Sequence, residues 1–288
     1  MPIASKQNRL TTVRSSADNG DDAWAMIDRI TLLLYGRSGT GKTRFWGTFP
    51  GRTLALICSG GRKPGELRSI DTPANRERIT ARVVRSVDGI KGLIAEAVEY
   101  DNVVLDHVSG LQDLTLKELL GLDEVPAQKG WGLATMQQYG QSTLQCKEIA
   151  RALLNLPGNV VIVGQERTFG GREDGLDSTL IQPTVGCAVT PSLASWLNPA
   201  CDYVCNTYIR GRTRLIATEP NGPRVAVREK GVEYCLRVEP HDVYAVKFRR
   251  VGNGPLADIV DPDYDKFTAL VRGETALKKP PKLADRRI

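Results

Sequence analysis

The residues Gly36-Arg37-Ser38-Gly39-Thr40-Gly41-Lys42-Thr43 fit the phosphate-binding pattern G-x-x-x-x-G-K-[ST] at every fixed position. The apolar residues 30–35 lead into it and predict a buried strand, and Arg44-Phe45-Trp46 predicts the opening of a helix. That is the strand–loop–helix context the pattern needs. Each residue type has a reason. Glycines let backbone N–H groups turn toward a polyphosphate, and a helix N-terminus adds positive potential. Lys42 is expected to reach the β- and γ-phosphates, and the Thr43 hydroxyl to ligate Mg²⁺. The whole stretch, with Gly36, Arg37, Ser38, Gly39, Thr40 and Gly41, is thus the predicted cradle for a nucleoside triphosphate.

The remaining pattern predicts what surrounds that cradle. Apolar runs at residues 53–58, 79–84, 102–106 and 160–163 read as strands, and residues 88–99 and 134–156 as helices. In the long helix the expected apolar set is Met136, Tyr139, Leu144, Ile149, Leu153 and Leu154. Strands alternating with helices predict an α/β fold, a mostly parallel sheet in three layers. The run Asn102-Val103-Val104-Leu105-Asp106 is an apolar strand closed by a carboxylate. After a phosphate loop, that pattern predicts Asp106 as a second holder of Mg²⁺. Val160-Val161-Ile162-Val163 leads to Gly164-Gln165-Glu166-Arg167, where a polar residue is placed to contact the γ-phosphate. Residues 168–189 read as a long glycine-rich loop, to which Arg167, Phe169 and Arg172 bring phosphate-binding and stacking groups. Residues 192–197 read as a short helix, 202–209 as a strand, and 224–230 as polar loop. Residues 234–238 and 243–246 are strand candidates, and 262–272 read as the last helix. Arg210, Arg212 and Arg214 alternate and share one face, as a nucleic-acid groove or as a solvated hairpin edge.

At the ends, residues 1–26 read as a disordered arm and residues 274–288 as a disordered basic tail around a single core of 27–273. No apolar run approaches the about 20 residues of a membrane span. The expectation is a cytoplasmic protein. The net charge of +6 favours an anionic partner. Six cysteines, at 58, 146, 187, 201, 205 and 235, form no C-x-x-C pair, and only two histidines are present, so buried thiols are favoured over zinc.

With these residues placed, the chain resembles the phage-type P-loop ATPases built on a RecA core, which include the RecA-like single-strand annealing proteins of bacteriophages. The likeness rests on residues 36–43, the strand ending at Asp106, the helix over 139–156, the run 160–167, and Lys247-Phe248-Arg249, in that order over residues 28–272. The resemblance implies ATP and Mg²⁺ at Lys42, Thr43 and Asp106. It implies a γ-phosphate-sensing role for Gln165, and a DNA-binding loop over 168–189. It also implies that Lys247 and Arg249 form the K-x-R element that reaches the ATP of a neighbouring subunit. The partners it implies are single-stranded DNA and further copies of the chain, as ring or filament, in the host cytoplasm if the protein is phage-encoded. One place departs from the family. Where a water-orienting glutamate is usual, after the second core strand, this sequence has Cys58-Ser59-Gly60-Gly61. Glu66 and Glu166 are the replacement candidates.

Two other functions fit a phosphate loop: a small-molecule or nucleotide kinase with an arginine-bearing lid, and an ATP-driven motor or assembly factor. Against the partition type of the latter, Arg37 stands at the second loop position, where lysine is usual.

Overall fold

A computed structural model describes residues 28–59, 63–122, 134–170, 184–217 and 224–274. Its central strand, β1 (Thr31–Gly36), is buried at every position. It lies between two parallel partners, β5 (Asn159–Phe169) and β7 (Tyr203–Ala217), with Leu33 opposite Ile162 on one side and Val204 on the other. A strand covered on both faces has no solvent side, so Leu32, Leu33 and Leu34 follow one another without alternation. Beyond β5 lie β4 (Asn102–Asp106), β2 (Thr53–Ile57) and β3 (Ile79–Val83), all parallel. Beyond β7 the direction reverses into β8 (Arg224–Arg237) and then β10 (Ile259–Val260). Two short strands complete the ten-stranded sheet: β6 (Thr184–Cys187) on the outer part of β5, and β9 (Lys247–Phe248) on the start of β7.

One face is covered by α3 (Val87–Glu96), α4 (Val108–Leu119), α5 (Met136–Leu154) and α6 (Pro191–Ala200). The other carries α1 (Lys42–Trp46) and α7 (Tyr264–Val271) over an aromatic layer. There Phe45 meets Phe49 and Phe267, each at 5.7 Å between ring centres, in tilted or edge-on geometry. A short α2 (Pro73–Arg78), capped by Thr72, had no clear sequence signal. The predicted three-layer, mostly parallel α/β architecture is the one observed.

Three expectations are corrected. Residues 224–230, read as loop, belong to β8. They pair with the outer half of β7 in a two-stranded ribbon past a register shift between Gly211 and Thr213. The pairing there is made by backbone groups, so a polar run can still be strand. Residues 243–246 form no strand of their own; Tyr244 makes an isolated bridge to Val185, and the pairing segment is Lys247–Phe248. In α5, Met136 and Leu144 are 89% and 67% exposed. Ile149, Leu153 and Leu154 turn inward as expected, joined by Ser142, Thr143, Cys146 and Ala150. Hydroxyls fix that face: Thr115 and Ser142 share a 2.6 Å hydrogen bond, and Thr143 bonds Thr190 at 3.0 Å. A polar seam between helices outweighed the apolar count.

The arm over 1–26, the tail from 275, the linker expected over 122–132 from residue 123, and the loop residues 171–183, with Arg172, lie outside the described residues.

Candidate functional site

The carboxyl ends of β1, β4 and β5 meet at one place, where open parallel sheets take ligands. Gly36 ends β1 opposite Gln165 of β5 and Thr207 of β7. A Cβ at Gly36 would overlap the Thr207 hydroxyl and carbonyl, so only glycine fits there. The loop then turns through Gly39 (φ 80°) and Gly41 (φ 92°), left-handed conformations that side chains resist. Thr40 pins the turn: its hydroxyl donates to the Arg37 carbonyl at 2.7 Å and pairs with the Thr207 hydroxyl at 2.6 Å.

Lys42 is folded back into this loop. Its Nζ donates to the carbonyls of Gly36 and Arg37, both at 2.7 Å. Burial lowers its pKa below the usual lysine value, while the charges of Asp106 and Glu166 act to raise it. A buried cation, in the field of two carboxylates and held by neutral carbonyls, is suited to a phosphate.

Asp106 closes β4 beside α1. Its Oδ2 accepts from Trp46 Nε1 at 3.1 Å and from Thr43 Oγ1 at 3.5 Å. Burial raises its pKa, and the Trp46 hydrogen bond, the Lys42 charge and the Thr43 hydrogen bond act to lower it. Both hydrogen-bonding partners are neutral, so a divalent cation would relieve the burial cost of this carboxylate. Thr43 and Asp106 therefore fit Mg²⁺, and the structure brings the two together as the sequence predicts. Trp46 was missed as a site residue. It stands three residues after Thr43, on the next turn, but its partner is 60 residues away in sequence.

Gln165 lies beside Gly36 in the sheet register, and its backbone N–H donates to the Ser109 hydroxyl at 3.5 Å. Glu166 follows, nearly buried, held by Arg37 at 3.0 Å and by Asn206 Nδ2 at 3.1 Å. Asn206 Oδ1 in turn accepts from Arg237 at 3.2 Å. Glu66 sits on a 3₁₀ turn (Gly65–Ile70). Its charge, after that of Asp113, opposes the lowering that burial imposes on the His107 pKa. Glu66 therefore lies toward the carboxyl end of β4, and Glu166 toward Lys42. Crowding marks the place of the absent glutamate: a Cβ on Gly110 of α4 would overlap the Cys58 carbonyl.

Arg167 and Phe169 lie where β5 leaves the main sheet to pair with β6, with the Arg167 guanidinium 5.6 Å from the centre of the Phe169 ring. Arg167 is exposed. Lys247 and Arg249 are elsewhere. Phe248 pairs with Tyr203 at the amino end of β7, three to four residues down the strand from the Thr207 level, roughly 10 Å at strand rise. Lys247 Nζ donates to the carbonyls of Asn198, Pro199 and Cys201 at the end of α6, and Arg249 pairs with Asp202 at 2.6 Å. Within one chain these two cations do not meet Lys42. The six cysteines are all free and buried. Among the described residues no three His, Cys, Asp or Glu side chains cluster as a metal site, and no helix is long and apolar enough to cross a membrane.

A protein-family model described as an AAA domain matches residues 28–250, most of the chain and all of the site residues above. A search of curated proteins finds no match.

Proposed function

Since the chain belongs to the AAA-domain family of P-loop, nucleotide-binding ATPases, we propose that it is a RecA-like ATPase of the phage recombination or annealing type. In this reading it binds single-stranded DNA and works as an oligomer. The observation that carries the nucleotide part is Lys42, parked on two carbonyls of its own loop within the field of Asp106. In this reading Lys42 exchanges those carbonyls for β- and γ-phosphate oxygens, which are charged acceptors and bind an ammonium more strongly. Backbone N–H groups of the turn through Gly39 and Gly41 give further donors. Thr43 and Asp106 hold Mg²⁺, which supplies positive charge against the transferring phosphoryl oxygens. Gln165, beside the root of the loop, reports the γ-phosphate to the β5–β6 ribbon. Glu66 and Glu166 are the two candidates to orient water; the charge of Glu166 acts on Lys42, and its carboxylate is held by Arg37 and Asn206.

Arg167 and Phe169 support the DNA part. A stacking ring and an exposed cation at the base of a glycine-rich loop form the pair that sequence-tolerant single-strand binding uses. For the oligomer, Lys247 and Arg249 are proposed to serve a neighbour's nucleotide. That role requires Lys247 to leave the α6 carbonyls and Arg249 to leave Asp202.

The test is ATP turnover by the full chain with and without single-stranded DNA, and DNA binding across a salt series. The expected result is stimulation by DNA and an affinity that falls steeply with salt through counterion release. No binding at low salt together with no stimulation would remove the DNA part and leave the ATPase.

A further inference from the structure

We propose that Tyr234, flanked by Ile209 and Val232 and faced by Arg44, is the seat on which the base of the bound nucleoside triphosphate stacks. This inference rests on the nucleotide reading above. In the β7–β8 pair, Ile209 stands opposite Tyr234, Gly211 opposite Val232, and Thr207 opposite Leu236. Opposed and alternate residues share a face, so Leu236, Tyr234, Val232 and Ile209 form one row. Its inner end is fixed: Leu236 is fully buried in the aromatic layer with Phe45 and Trp46. The row therefore runs along the face that carries α1, and it continues beyond the cover of that helix. Tyr234 is half-buried, and Val232 and Ile209 are 48% and 50% exposed. An apolar row left open to solvent beside a polar loop marks a place for a ligand.

The contacts locate that ligand. A Cβ on Gly41 would lie 3.0 Å from Tyr234 Cδ1, so the ring lies directly against the phosphate loop. The Arg44 guanidinium, in the first turn of α1, lies 5.3 Å from the centre of the same ring. The Tyr234 backbone is also held in place: its carbonyl accepts the Asp261 N–H at 2.7 Å. Asp261, with φ 45°, is the single non-glycine residue with positive φ among the described residues. Such a conformation costs energy and persists where surrounding structure demands it. In this proposal the triphosphate on residues 36–43 leads out past Gly41 and Arg44, the residues that meet the ring, so its sugar and base lie toward Tyr234. The base then meets an aromatic face and two aliphatic side chains, which favour a flat ring over a phosphate, and a planar cation able to stack on it.

The experiment is titration calorimetry of the full chain with ATP and with inorganic tripolyphosphate, each with Mg²⁺. Tyr234→Leu keeps an apolar group against Gly41 and removes the ring. It should weaken ATP roughly five- to hundredfold, the range for loss of one base–aromatic stack, and leave tripolyphosphate within about twofold. Tyr234→Phe should match wild type for both ligands. Val232→Ser, at an exposed position away from the loop, should weaken ATP alone by a smaller factor, and it keeps the test open if the Tyr234 variants fail to fold. ATP affinity unchanged in Tyr234→Leu and Val232→Ser would overturn the proposal. So would equal loss of both ligands in Tyr234→Leu, because the ring would then be a support for the loop. If the wild type binds neither ligand, the nucleotide reading itself is wrong.

Discussion

Two lysines in this fold are bound in the same way and stand for opposite things. Lys42 and Lys247 each donate only to backbone carbonyls, and burial lowers the pKa of both. The difference lies in the carbonyls. Those around Lys247 close α6, where a helix ends with unpaired acceptors and a negative dipole that a cation satisfies. Those around Lys42 belong to a loop held open by left-handed glycines, and two carboxylates stand within its field. Within one chain Lys247 is a cap, and the proposed role at a neighbour's nucleotide would draw it off those carbonyls. Lys42 is a cation whose neutral partners an anion can replace. Residue type and hydrogen-bond count do not separate the two; the demand of the acceptor does.

The largest effect that could break this contrast is at Lys42. Lys42→Ala should weaken Mg–ATP binding roughly 10- to 100-fold, the value of a charged hydrogen-bonding group, and abolish turnover. Fluorescent-nucleotide titration reads the first and phosphate release the second. Retained turnover would make Lys42 no more than a strut.

Next is Asp106. Its carboxyl pKa is raised by burial, so ionisation costs the folded state more than the unfolded one. Wild-type stability therefore falls as pH rises from the ordinary carboxylate range through the raised folded value. Asp106→Asn keeps an acceptor for Trp46 and has no charge to bury. It should melt above wild type at neutral pH, lose that advantage in acid, and show no Mg²⁺-dependent turnover. Equal melting at both pH values would mean that the carboxylate is compensated.

The smallest effects are at the other corner. Lys247→Ala should destabilise by about 1 kcal/mol, through loss of the cation at the α6 terminus. Arg249→Ala should change stability by less than about 1 kcal/mol, because its pair with Asp202 is largely exposed. Both should bind ATP as wild type does. A loss of turnover in Arg249→Ala at unchanged melting temperature would show that the corner also acts on a neighbour, and would sharpen the contrast into a division of labour.

The sequence made some of this legible and hid the rest for identifiable reasons. Residues 36–43 were readable because each fixed position answers a local demand: glycine for left-handed φ, lysine for charge, threonine for a hydroxyl beside Asp106. Asp106 was readable because a carboxylate after an apolar run has few other uses beside such a loop. Trp46 on Asp106 and Tyr234 on Gly41 were not readable, since each joins segments that only the sheet order makes neighbours. The outer half of β8 was hidden because its pairing with β7 is made by backbone groups, which leave no mark on a polar run. The buried face of α5 was legible in part: Ile149, Leu153 and Leu154 are buried as expected, while Ser142 and Thr143 were hidden because their hydroxyl partners Thr115 and Thr190 lie in other segments. Lys247 was readable as a cation near the end of the chain, but its role as a helix cap depends on where α6 stops.

The tight fit at Gly36 also sets how force would travel through the molecule. The root of the loop is wedged against Thr207 and laddered to strands on both sides, so it is a fixed fulcrum. Movement of the loop has to begin beyond it, at Gly39 and Gly41. The direct hydroxyl link from that moving part to the sheet is Thr40 to Thr207. Thr207 lies near the start of a strand that runs without interruption to the bulge after Gly211 and on into the β7–β8 ribbon. The threonine pair thus ties the loop to the same backbone ladder that carries the β7–β8 ribbon, so loop and ribbon are continuous in hydrogen bonding.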